Sequence, residues 1–106
     1  MSDFSEIRKK ALQIHSLYKD FNKRNYGREW TGEELAMGLV GDVGDLMKLI
    51  ATKEGVRSIS DVDSKLGHEL ADCLWSIIIL AEEYGVDLEK EFGRTMGYLE
   101  KRIKEL

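Results

Sequence analysis

The 106-residue chain is 42% hydrophobic and 34% charged, has no proline and carries a net charge of −4, the composition of a single helical domain spanning 1–106 with a modest core. This acidic balance argues against duplex nucleic acid as a partner, because phosphate-backbone binding draws on clustered positive charge. The lone cysteine, Cys73, excludes an internal disulfide and a CxxC zinc site.

The N-terminal MSDFSEIRKK lacks the apolar region of a signal peptide, and the apolar run from Cys73 to Ala81 is about half a membrane span. A cytoplasmic location and no membrane partner are therefore expected. Residues 3 to about 26 place Phe4, Ile7, Ala11, Ile14, Leu17, Tyr18 and Phe21 at helical spacing between charged residues, which predicts an amphipathic first helix closed by Asn25 and Gly27. His15 borders this apolar stripe with no second His or Cys at ligand spacing, and it reads as a packing residue.

Thr31 followed by Glu34 has the spacing of a capping box, which opens a second helix over 32–53 and gives Glu34 a structural task. On a wheel of about 100° per residue, Asp42 falls on the same arc as Leu35, Leu39 and Leu49, and Asp45 borders it. Three glycines, Gly38, Gly41 and Gly44, each weaken a helix interior by about 1 kcal/mol relative to alanine. Their row predicts a close helix crossing or, second, one wall of a pocket. The polar stretch TKEGVRSISDVD then reads as a linker, with Lys53 and Arg57 within reach of phosphates if the acids lie nearby.

The third helix is expected over about 62–84 and the fourth over 88–105, the latter capped by Asp87 and carrying Leu88, Phe92, Met96, Leu99 and Ile103 as its inner stripe. From Leu70 to Ala81 apolar residues point in every direction, the pattern of a helix buried on all sides and, in a chain this small, of a subunit interface. Its polar exceptions Glu69, Asp72 and Ser76 fall within roughly 60° of one another. No strand pattern, repeat or low-complexity tract is present, so the fold class is all-α: four helices in a bundle completed by oligomerisation.

Asp42 with Asp45, and Glu69 with Asp72, are each spaced i, i+3, which puts both carboxylates of a pair on one helix face a turn apart. Carboxylates on apolar faces need a proton, a partner or a metal. Lys48 is six residues beyond Asp42 and Lys65 precedes Glu69 by four, so no basic residue lies inside either motif and a hard cation is the favoured counter-charge. The acids are not in an EF-hand loop, and His68 does not form the ExxH pair of a di-iron bundle. Mg²⁺ fits best, with Mn²⁺ as the alternative.

An acidic helix motif, a basic turn and an ExxD helix together resemble the MazG-like, all-α nucleoside triphosphate pyrophosphohydrolases, over about Trp30 to Leu99. The family pattern is EExxE followed by ExxD. Here GDVGD places Gly41, Asp42 and Asp45 at the three acidic positions, followed by Glu69 and Asp72. The dCTP pyrophosphatase branch is similar in having glycine at the first position, whereas aspartate at the other two shortens each ligand by one methylene.

The resemblance implies Mg²⁺-dependent cleavage between the α- and β-phosphates of a nucleoside triphosphate in nucleotide-pool house-cleaning. It also implies Asp42, Asp45, Glu69 and Asp72 as catalytic metal ligands, and assembly as a homodimer or homotetramer. Lys53 and then Arg57 are the candidate phosphate contacts, and Tyr26 and Trp30, spaced i, i+4, the candidate base-stacking rings. The alternatives are a non-catalytic regulatory oligomer that binds metal and nucleotide, a structural dimerisation module, and the related phosphoribosyl-ATP pyrophosphatase.

Overall fold

A computed structural model describes residues 3–55 and 57–106. It consists of α1 (Phe4–Tyr26), α2 (Gly32–Lys53), α3 (Val62–Glu83) and α4 (Leu88–Lys104), and none of these helices is long and apolar enough to cross a membrane. The helix ends lie where local chemistry puts them. Asp3, Thr31 and Asp87 each accept a first-turn amide, of Glu6, Glu34 and Lys90 respectively, which satisfies one of the orphan donors of a helix start. Gly27 closes α1 at φ 76°, in the left-handed region where glycine carries no steric penalty, and its N–H donates to the Lys23 carbonyl.

Helices α2 and α3 form the tightest pair, with α1 laid against α3. Ala11, Leu35, Ile78 and Ile79 make the buried centre, with Phe4, Leu12, Trp75, Leu80 and Leu88 packed around it. Ile79 is fully enclosed, a burial that contributes about 1.5–3 kcal/mol. Two polar contacts fix α1 on α3: the Trp75 indole N–H donates to the Ala11 carbonyl at 3.1 Å, and Arg8 pairs with Glu82.

The four-helix, all-α architecture matches the expected pattern, but two details differ. Leu70, Leu74 and Ile77 on α3 are exposed, and Phe92, Met96, Leu99 and Ile103 leave the stripe of α4 uncovered, because the buried centre comes from α1, α2 and α3, and α4 packs Leu88 against its edge. The glycine row of α2 makes no close helix crossing within the chain: a Cβ at Gly38, Gly41 or Gly44 meets nothing within 4 Å. The close approach lies instead at Gly32, where a Cβ would collide with the Tyr84 hydroxyl.

Candidate metal centre

The α2–α3 pairing turns the two acidic motifs toward each other. Asp42, Glu69 and Asp72 each offer one carboxylate oxygen to a group whose members all lie within 4.8 Å of one another, and all three residues are half-buried. Asp45 stands outside this trio. Its side chain is 58% exposed, with the Lys48 ammonium 3.9 Å from Oδ1, yet its charge still reaches both Asp42 and Glu69.

Crowding acids at a partly dry seam raises the cost of ionising them. Burial first, and then the charges of Asp72 and Asp45, push the Asp42 pKa above its ordinary value; burial and the charges of Asp42, Asp45 and Asp72 do the same to Glu69. The adjacent Cys73 thiol is also pushed up, again by burial first and then by the acids. His68 Nε2 lies 3.0 Å from Asp72 Oδ2 and partly offsets the repulsion. Glu69 Oε2, in contrast, is shielded from solvent and has no hydrogen-bond partner among the described residues. An all-oxygen, multiply anionic donor set with an orphaned buried oxygen fits a hard divalent cation such as Mg²⁺ or Mn²⁺.

Two depressions share the acids. Asp42 and Asp72 belong to the wall of a cleft of about 790 Å³ between α1, α2 and α3, which Tyr18, Trp30 and Trp75 also line. The rings run in sequence, Trp30 to Tyr18 at 5.6 Å and Tyr18 to Trp75 at 5.7 Å between centroids. Asp45 and Glu69 belong to a second recess of about 410 Å³, together with Lys48, Ser64, Lys65 and His68.

Of the residues singled out for nucleotide contact, Trp30 lines the aromatic cleft. Tyr26 is 71% exposed, sits edge-on to Phe21, and lies outside the cleft wall. The Lys53 ammonium is 2.7 Å from Asp63 Oδ1, tying the end of α2 to the first turn of α3. Arg57 is exposed in the linker, and neither residue lines the cleft or the recess.

Tyr18 and Trp75 were absorbed into apolar stripes by periodicity alone, which does not separate a cleft wall from a core. Lys48 and Lys65 did carry a signal, since spacings of three from Asp45 and four from Glu69 set them on the acidic faces.

No curated protein and no solved structure matched the chain. A model of the MazG nucleotide pyrophosphohydrolase domain matches residues 31–106. That span holds α2, α3 and α4 with both acidic motifs, whereas α1, which brings Tyr18 to the cleft, precedes it. With most of its length covered by that match, the chain belongs to the MazG nucleotide pyrophosphohydrolase domain family.

Proposed function

We propose that the chain is a Mg²⁺-dependent nucleoside triphosphate pyrophosphohydrolase, able to use Mn²⁺, that cleaves the α–β phosphate bond to give a monophosphate and pyrophosphate. The observation that carries this reading is the Asp42–Glu69–Asp72 trio, with its orphaned Glu69 oxygen, two of whose members, Asp42 and Asp72, line an aromatic cleft of nucleotide size. Family membership supplies the reaction class. House-cleaning of the nucleotide pool in the cytoplasm is the role that suits such an activity.

In this reading Asp42, Glu69 and Asp72 hold the cation, and Asp45 is the fourth donor at the exposed edge. A divalent ion held there would supply Lewis-acid charge to the phosphoryl oxygens. Water attacks the α-phosphorus, the bond to the bridging oxygen breaks, and the electron pair leaves with pyrophosphate. One of these carboxylates would also accept the proton of the attacking water. Trp30 stacks on the base with Tyr18 beside it, whereas Tyr26, Lys53 and Arg57, the other base and phosphate contacts expected from the sequence, line neither depression and would reach a nucleotide only by moving. The uncovered faces of α3 and α4 are the surfaces on which a homodimer or homotetramer would assemble.

The second reading is a non-catalytic metal- and nucleotide-binding regulator. It draws on the aspartates at positions 42 and 45, one methylene shorter than the family glutamates. Pyrophosphate release measured across canonical and modified dNTPs and phosphoribosyl-ATP, with Mg²⁺ and with chelator, separates the two. Metal-dependent release from at least one substrate is expected. Nucleotide binding without turnover on the whole panel would leave the regulator.

A further inference from the structure

Trp30 stands between two helix ends. The Gly27 amide closes α1 by donating to the Lys23 carbonyl at 3.1 Å, and the Thr31 hydroxyl opens α2 by accepting from the Glu34 amide at 3.1 Å. Between these anchors the Trp30 ring is 42% exposed and meets Tyr18 at 5.6 Å between centroids. No core encloses it, so its place in the cleft wall depends on how its backbone is held.

The Arg28–Glu34 ion pair holds that backbone from both sides. Arg28 Nη1 donates to the Glu29 carbonyl at 3.3 Å, which belongs to the peptide group before Trp30. The Thr31 amide, in the peptide group after Trp30, donates to Glu34 Oε1 at 3.0 Å. The guanidinium spans both oxygens of the carboxylate, Nη1 to Oε1 at 2.6 Å and Nη2 to Oε2 at 2.8 Å, a two-pronged geometry that lysine does not reproduce. One ion pair therefore fixes the two peptide planes that set φ and ψ of Trp30. Glu34 also lines the cleft. Its carboxylate already accepts three hydrogen bonds of about four it can take, so it shapes the wall more than it offers a contact.

We propose that Arg28 and Glu34 are positioning residues of the aromatic cleft, which preorganise Trp30 for stacking on the nucleotide base. The inference rests on the base-stacking reading above and deepens it. Arg28 and Trp30 precede the matched span of residues 31–106, so the clamp is a feature of this chain's own α1–α2 connection. Its effect is entropic: an exposed ring on a loose connection would have to be ordered as the base arrives, whereas a clamped one is ordered by folding. The Arg28 hydrogen bond, ahead of the other causes, holds the Glu34 pKa down to about 2, so the clamp is intact at neutral pH.

Calorimetric titration at neutral pH with Mg²⁺ tests the assignment on dAMP, dCMP, dGMP and dTMP, with inorganic pyrophosphate as the probe that carries phosphates and no base. Trp30→Ala is expected to weaken the monophosphate that wild type binds best by about 5-fold or more, the loss of one stacking partner. Arg28→Ala should weaken it by about 3-fold to 5-fold, the upper range for an exposed ion pair. Arg28→Ala/Trp30→Ala should match Trp30→Ala within about 2-fold, because the clamp acts through the ring. Thr31→Ala removes the cap and keeps the ion pair, so its monophosphate affinity should stay within about 2-fold of wild type, as should pyrophosphate affinity in every variant.

Undiminished monophosphate binding in Arg28→Ala beside a loss in Trp30→Ala would overturn the clamp. So would a further loss on adding Arg28→Ala to Trp30→Ala, which would make Arg28 a direct contact, or an equal loss in Thr31→Ala, which would assign the effect to the helix start. Pyrophosphate binding that falls in step with the monophosphate would also overturn it, by placing the damage at the metal seam. Failure of the base-stacking reading registers separately, as monophosphate affinities that Trp30→Ala leaves unchanged.

Discussion

Helix α2 carries carboxylates in two settings only about two turns apart, and they are treated in opposite ways. Glu34 accepts from Arg28 Nη1 at 2.6 Å, Arg28 Nη2 at 2.8 Å and the Thr31 amide at 3.0 Å. These contacts, the Arg28 hydrogen bond foremost, hold its pKa down to about 2. Asp42, and Glu69 opposite it on α3, sit at the seam between the two helices, where burial and neighbouring acids raise theirs. Carboxylates alike in chemistry thus fall into those the chain satisfies by itself and those for which it brings no adequate cation. A structural acid has its partner within the fold, whereas the seam acids need one from solution.

The largest expected effect breaks this contrast at its functional end. Glu69→Gln or Asp72→Asn should lower pyrophosphate release at least about 100-fold, beyond what loss of an outer-shell contact does at a metal site. Melting in chelator should hold steady or rise, since a repelling charge has been removed. Turnover within a few-fold of wild type would move the reaction centre elsewhere.

The next effect is thermodynamic. Mg²⁺ at about 100 times its dissociation constant should stabilise the wild type by about 2.7 kcal/mol. Asp42→Asn/Glu69→Gln should lose that shift in a thermal melt, and a double variant that kept it would place the ion away from the seam.

At the satisfied end, Thr31→Ala removes the side chain that accepts the Glu34 amide at 3.1 Å, for a cost of about 1 kcal/mol. Chemical denaturation should record that loss, while the Mg²⁺ response stays at its wild-type size. A diminished response would mean that the two regions are coupled.

The smallest effect is in pH, and its sign differs between the regions. Glu34 has a folded pKa of about 2 against an ordinary 4.5, so its contribution is complete above 4.5 and is lost as the pH falls toward 2. Asp42 and Glu69 have raised folded values; in metal-free protein they oppose folding at neutral pH, and that opposition is relieved as the pH falls through the raised values toward the ordinary ones. Melting curves in chelator should show Glu69→Gln gaining less than wild type between neutral and mildly acidic pH. In Arg28→Ala the loss below 4.5 should shrink. Parallel curves for wild type and Glu69→Gln would contradict the strained seam.

Much of the fold was legible locally. The Thr31–Glu34 box, the Asp87 cap and the Gly27 terminator act within a few residues of themselves, so their spacing suffices to set helix limits. The i, i+3 spacing of each acid pair placed its carboxylates on one helix face for the same reason. Periodicity stopped short where the question was what covers a face. It turned the α4 stripe inward and wrapped α3 on all sides, while Phe92 and Leu70 stay exposed in the single chain. It also proposed a close crossing at a glycine row that faces open space.

What the sequence determined by itself was therefore the set of helices, their caps, and two pairs of acids each committed to one face. The 4.8 Å convergence of Asp42, Glu69 and Asp72 was decided by the packing of α2 on α3. So were the division of the acids between an aromatic cleft and a lysine-lined recess, and the diversion of Lys53 to Asp63. Helical periodicity fixes direction around one axis, while distance between side chains on different helices depends on how those axes cross.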